Sequence, residues 1–428
     1  MTRRGQIRVL ISAAAVASAL AVPAAATASW KPGIWLTRAE VMRLPARGAA
    51  WAQLRGLANE PIGRPDLSNQ DSPADVQTLA AALVYARTGD PRLRTKVAAA
   101  LMGAIGTERG GRTLALARGL VSYVVAADLI DLARYAPGDD QRFRAWLAGV
   151  RTETLAPADY PTLIATHELR PNNWGTHAGA SRIAADIYLR DEADLARAAA
   201  VFKGWLGDRA VYHSFQFGED LSWQADPAAP VGVNPAGATR DGNSIDGALP
   251  DDMRRGCGLR FPPCPTLYPW EAMQGAVVQA ELLARQGYDA WNWSDQALRR
   301  AATFLFNLHA TYGAESWGAP RGDEWIPWLV NARYGTHFPT ELPARPGKAM
   351  GFTDWTAARC ASSDCSKPRG GPRQVVPVAA ASMPGSSKKH DDDDMTPLAL
   401  GVTAALALVV LVSGLLLARR RRARGIAH

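Results

Sequence analysis

Apolar residues recur at helical spacing through most of the chain between residues 30 and 356, and period-two alternation is scarce. The pattern predicts helices over 37–44, 46–59, 73–88, 91–106, 112–135, 139–153, 173–189, 192–206, 268–286, 294–311 and 323–332. Their starts are marked: Thr37 followed by Glu40 is a capping box, and Ser72-Pro73-x-Asp75 opens a helix with proline in its first turn. Gly89-Asp90-Pro91, Gly110-Gly111, Pro137-Gly138-Asp139 and Arg190-Asp191 punctuate them. Long helices with short connections form antiparallel pairs, and successive pairs of this length suit a ring. The expected fold class is all-α: an α/α toroid, an incomplete barrel of antiparallel helix pairs, plus one C-terminal transmembrane helix. No repeated signature marks a TPR or HEAT array.

One stretch combines helix signals with chemistry. In RPNNWGTHAGASRIAADIYL, residues 170 to 189, Pro171 ends the preceding segment and Asn172 is a good N-cap. Asn173 and His177 lie four apart and share a helix face. That stripe continues through Ala180, Ala184 and Ile187, which are small or apolar. The N–H groups at the helix start suit a carboxylate ligand. Two segments break the helical pattern. Residues 207 to 267 are rich in Gly, Pro, Asp and aromatics, with Tyr212, Phe215, Phe217 and Trp223 arguing for an ordered loop region. Residues 357 to 394 are rich in Pro, Gly, Ser and charge and read as a stalk.

The ends carry targeting signals. Residues 1 to 28 have a basic start, an apolar run from Val9 to Val22 and an Ala26-Thr27-Ala28 cleavage site, the pattern of a secretory signal peptide. Residues 398 to 418 contain no charge and are long enough to cross a bilayer. Arg419 to Arg422 and Arg424 follow, a positive-inside signal for a basic cytoplasmic tail over 419–428. The expected location is the cell membrane, single-pass, with the body over 30–356 extracellular.

These ends change the meaning of the formal net charge of +8. Eight arginines sit in the signal and tail, and without them 40 basic residues face 40 acidic ones. Global basicity is thus a targeting feature and gives no support for nucleic acid as a partner. The four cysteines fall in two close pairs, which in an exported protein read as Cys257–Cys264 and Cys360–Cys365 disulfides. Zinc is the weaker alternative, because neither spacing is C-x-x-C and no histidine adjoins either pair. No metal or other cofactor is expected.

Several stretches resemble the alginate-lyase-like polysaccharide lyases, a family built on an α/α-toroid domain. They are PGIWLTRAEVMRLP, DSPADVQTLAAALVYARTGD, TLALARGLVSYVVAADLIDL, RPNNWGTHAGASRIAADIYL, DLSWQADPAAPVGVNPAGATRDGNSIDGALPDDMRRG, LYPWEAMQGAVVQAELLARQGYDAWNWSD, EWIPWLVNARYGTHFP and GKAMGFTDWT, in order over nearly all of 30–356. The resemblance implies cleavage of a uronic-acid polymer by β-elimination, with an anionic polysaccharide as partner. A C5 proton beside a carboxylate is hard to remove, so such an enzyme neutralises the carboxylate, supplies a base for C5 and an acid for the leaving O4. Carried over by position, Asn173 and Arg255 hold the carboxylate, His177 is the base, and Tyr268 is the acid or shares the base role. The family's Asn-Asn-His with a later tryptophan appears here with Trp174 and His177 exchanged. Asn172, Trp174, Arg118, Trp223, Trp270 and Arg254 are the expected substrate-binding residues. Arg254 is the close alternative to Arg255, and Arg118 interrupts an apolar helix as a side chain lining a central cavity would. His167 and His213 have no partner pattern.

Two other classes remain. A toroid-fold glycoside hydrolase needs paired carboxylates, for which Glu219, Asp220, Asp246 and Asp251 are available. A membrane-tethered carbohydrate-binding protein without catalysis is consistent with the Trp174/His177 exchange.

Overall fold

The computed structural model describes residues 33–155, 162–313, 317–357 and 373–379. The signal peptide, Cys360, Cys365, the span over 398–418 and the basic tail lie outside the described residues. Among the described residues no helix is long and apolar enough to cross a membrane.

The body is all-α. In chain order the helices are α1 (Arg38–Arg43), α2 (Ala49–Asn59), α3 (Ala74–Thr88), α4 (Pro91–Ala104), α5 (Thr113–Leu129), α6 (Leu132–Tyr135), α7 (Pro137–Val150), α8 (Leu163–Leu169), α9 (Asn173–Leu189) and α10 (Glu192–Trp205). They continue with α11 (Pro250–Met253), α12 (Tyr268–Arg285), α13 (Trp293–Tyr312), α14 (Ile326–Tyr334) and α15 (Thr353–Thr356). A two-residue hairpin pairs Thr239 with Ser244 and Arg240 with Asn243, antiparallel. The local signals act as expected: Thr37 and Glu40 form both bonds of a capping box, and Asn172 caps α9 by accepting from the Trp174 N–H. The expected helix over 112–135 is broken instead, because Asp131 turns into the left-handed region at φ 50° and separates α5 from α6.

Helix α9 is the hub. It packs against α5, α7, α8, α10 and α12. Nearly every residue of α9 is buried, with no solvent face of its own. Small residues permit this. A Cβ on Gly275 of α12 would lie 2.3 Å from the carbonyl carbon of Thr176 and 2.5 Å from the His177 nitrogen. Only glycine there lets the two helix backbones approach so closely.

The main helices contact one another in a closed circuit: α2 with α3, α3 with α5, α5 with α9, α9 with α12, α12 with α14, α14 with α15, and α15 with α2. The last contact joins the two ends of the body. Trp355 of α15 lies 5.3 Å from the Trp51 ring of α2, and its indole N–H donates to the Pro45 carbonyl at 2.8 Å. Residues 373–379, expected as stalk, instead run along this body. The Arg373 N–H donates to Gly287, the Val378 N–H donates to Val211, and Arg197 reaches the Ala379 carbonyl.

Candidate active site

The predicted residues meet where the start of α9 faces the start of α12. Two acids after the loop region organise it. Asp252 accepts the Asn173 N–H at 3.1 Å, and Asp251 accepts from the Asn172 side-chain amide at 3.0 Å. The carboxylate expected at the start of α9 is therefore the chain's own Asp252. Burial, then the neighbouring Asp251 charge, pushes Asp252 well above the usual carboxylate range, although Arg255 and the Asn173 N–H oppose it.

Asn173 is buried, and its side-chain amide oxygen accepts from Arg255 Nη1 at 3.0 Å. Its buried amide nitrogen has no hydrogen-bond partner among the described residues. The Arg255 guanidinium lies 3.5 Å from the centroid of the Tyr268 ring. Arg255 and Tyr268 are half-buried, and Leu267 beside them is exposed. Thirteen positions separate Arg255 from Tyr268, and the Cys257–Cys264 disulfide lies between them, with Cα atoms 5.7 Å apart. The outer tier is thus Asn173, Arg255 and Tyr268, from three separate segments.

An inner tier lies one helical turn deeper. His177 follows Asn173 by four residues and Glu271 follows Tyr268 by three, so each pair shares a helix face. His177 Nε2 stands 3.5 Å from Glu271 Oε2, a polar approach at the outer limit of hydrogen-bond length. Arg118 of α5 grips Glu271 with two contacts, at 3.2 and 3.3 Å. Burial holds His177 below its ordinary value, opposed by Glu271 and aided by the Arg118 charge. Burial works against ionisation of Glu271, yet the Arg118 charge and the His177 contact outweigh it and keep its carboxyl below the usual range. His177 is only 2% exposed. Expected as the base, it sits behind Asn173, buried and out of contact with solvent.

The inner tier continues around the helix circuit. Asp323, just before α14, accepts from the Gln274 amide and is pushed well above the carboxylate range by burial and by the Glu271 charge. Lys348, before α15, donates to Asp75 of α3 at 2.9 Å and to the Ser72 carbonyl. Polar residues from α3, α5, α9, α12 and the segments before α14 and α15 therefore converge.

The remaining expected residues divide. Trp174 is half-buried, with Arg170 4.6 Å and Arg112 5.6 Å from its ring centroid. Trp223 and Trp270, expected to stack on sugars, are instead core residues, each 1% exposed. Their indole N–H groups are spent on the Cys257 and Trp317 carbonyls. Arg254 is spent on Asp251, at 2.8 Å, which leaves Arg255 as the arginine of the site. His167 is buried beside Arg182, and His213 is exposed with its ring at the Arg209 carbonyl. Asp186, Asp191 and Asp194 are close enough together for a cation, but Arg151 contacts all three and Arg182 binds Asp194. That cluster is a salt-bridge knot between α7, α9 and α10.

Glu271 was missed in sequence. Its signal was an acid three residues after Tyr268 on an otherwise apolar helix, YPWEAMQGAVVQA, where an unpaired charge is costly. Compared with family models, with curated proteins and with solved structures, the chain has no match that identifies a relative.

Proposed function

We propose that this protein is a polysaccharide lyase that cleaves a uronic-acid polymer by β-elimination. The carrying observation is the convergence of Arg255, Asn173 and Tyr268: the guanidinium donates to the Asn173 side-chain amide oxygen and lies over the phenol ring. In this reading Arg255 and the unpartnered Asn173 amide bind the uronate carboxylate and stabilise the charge that develops when C5 loses its proton. The Tyr268 oxygen, as phenolate, takes the C5 proton and delivers it to O4 as the C4–O4 bond breaks and the C4–C5 double bond forms, which regenerates the phenolate. His177, Glu271 and Arg118 hold the inner wall. The closed helix circuit supports an α/α toroid. The apolar span and arginine tail support an extracellular, single-pass setting.

A hydrolase reading draws less support, since its carboxylates are occupied or scattered. Asp251 and Asp252 hold Asn172 and Asn173, Asp246 pairs with Arg300, and Glu219 and Asp220 are exposed. The test is ultraviolet absorbance of the unsaturated product on a panel of polyuronates. Tyr268→Phe is expected to lower the rate roughly 100- to 10,000-fold. Reducing ends without unsaturation would replace the lyase reading with hydrolysis. Binding without either product would leave only a carbohydrate-binding protein.

A further inference from the structure

A cleft of ≈ 430 Å³ lies along α13, away from the residues of the candidate active site. The volume is ordinary for a ligand site. One wall is a stripe of α13 at four-residue spacing: Arg299, Thr303, Asn307 and Thr311, all exposed. Asn243 and Ser244 of the hairpin form part of the opposite wall. Phe261, from the disulfide-closed loop, lines it, and Phe304 and Leu308, each 5% exposed, give it an apolar floor. The floor is braced from beneath. The Trp223 ring lies 5.8 Å from Phe261 and 6.4 Å from Phe304.

The end of the cleft is held in a strained form. Ser294, Asp295 and Gln296 all adopt left-handed backbone, at φ 50°, 55° and 55°. Three such non-glycine residues cost roughly 1 kcal/mol each or more, and strain of this kind tends to be kept at ligand clamps. Arg300 secures the turn by donating to the Ser294 and Asp295 carbonyls, and it also pairs with Asp246. The Arg299 guanidinium makes a single hydrogen bond, to the Gln296 amide oxygen at 3.0 Å, and has no carboxylate partner among the described residues. Asp295 stands exposed at the same end, where water screens it.

We infer that this cleft is a second glycan-binding groove, taking an extended acidic oligosaccharide apart from the site of chemistry. The Asn307 amide can both donate to and accept from sugar hydroxyls, and Thr303 and Thr311, whose O–H groups donate to the Arg299 and Asn307 backbone carbonyls, can accept from them. The apolar floor suits the C–H faces of pyranose rings. The stripe from Arg299 to Thr311 is about 18 Å long, room for several rings. Arg299, with most of its fork of donors open, suits one uronate carboxylate. Binding here needs no turnover, so the inference stands or falls separately from the elimination chemistry.

The test is isothermal titration of the full-length protein with hexasaccharides of mannuronate, galacturonate and glucuronate, and with a neutral glucan hexamer. It is done in an Arg255→Ala background that disables the candidate active site. At least one acidic hexamer is expected to bind that protein. Arg299→Gln should weaken it about tenfold, the value of one charge-assisted contact. Thr303→Trp, which fills the groove, should abolish binding while circular dichroism stays unchanged. No binding of any acidic hexamer to the Arg255→Ala protein would overturn the inference. So would binding that survives both substitutions, or equal affinity for the neutral glucan.

Discussion

Replacing Arg118 by methionine is the sharpest test of the inner tier. The substitution keeps much of the side-chain volume and removes the cation that holds Glu271 at 3.2 and 3.3 Å. The two side chains are 11% and 13% exposed, so water screens the stranded carboxylate poorly. Breaking a buried pair by deleting one partner costs about 3–5 kcal/mol. The slight exposure places Arg118→Met near the lower end, at about 3 kcal/mol. Glu271→Gln should cost a similar amount by stranding the guanidinium. The double variant, Arg118→Met with Glu271→Gln, leaves no charge behind. It should be more stable than the sum of the two losses, with a coupling of about 2 kcal/mol or more.

The same variant should change the response to pH. In the native protein His177 lies below its ordinary value, with burial dominant and Arg118 contributing. Its stabilising share is therefore present above the unfolded value and lost as pH falls through the folded one. Without Arg118 one of the charges that lower His177 is gone, while Glu271 still favours the imidazolium against burial and Lys348. The folded His177 value then lies closer to the unfolded one than in the native protein, so less stability is lost as pH falls. The deficit of Arg118→Met should thus be smaller at pH 5 than at pH 8, about one and a half units either side of an ordinary histidine. Urea unfolding followed by tryptophan fluorescence at both pH values measures both effects. Strictly additive single losses, or a deficit independent of pH, would refute this account of the tier.

Gly275→Ala should destabilise by at least about 1–3 kcal/mol, because its Cβ would meet the Thr176–His177 backbone rather than a movable side chain; thermal unfolding measures it. Glu281, bound by Arg285 and Arg333, is driven down to about 2 because those charges outweigh its burial. Its stabilisation, about 3 kcal/mol from that shift, is present above the ordinary carboxylate range and lost as pH falls toward 2. Glu281→Gln should lower stability at pH 7 and flatten the acid limb of the stability curve. Removing the disulfide by Cys257→Ser with Cys264→Ser should cost about 2.5 kcal/mol on loop-closure entropy for so short a loop. If the bridge fixes Arg255 relative to Tyr268, polyuronate binding should weaken with it, and titration of the double variant measures that. Trp270→Ala should cost about 3–5 kcal/mol as a core cavity. A loss of polymer binding in Trp270→Phe, with stability intact, would contradict its placement in the core.

The sequence by itself determined most of the long helices and several of their starts, but not the short α8 and α11 or the break at Asp131. Periodicity and capping are local, so the Thr37–Glu40 box, the Asn172 cap and the span of α9 were all legible. The pairing of Cys257 with Cys264 was legible too, because seven residues leave little else within reach. Tertiary structure decided which of the expected residues come together. An aromatic in a loop reads alike whether it faces a ligand or the core, and only packing put Trp223 and Trp270 inside. Arg254 and Arg255 are neighbours, and only the position of Asp251 separated their roles. The same limit applied to His177. Its helix face was readable from spacing, but its depth depended on Gly275 letting α12 close over it and bring Glu271 within reach. Local spacing sets direction around one helix axis, whereas burial and charge pairing depend on which second helix arrives opposite.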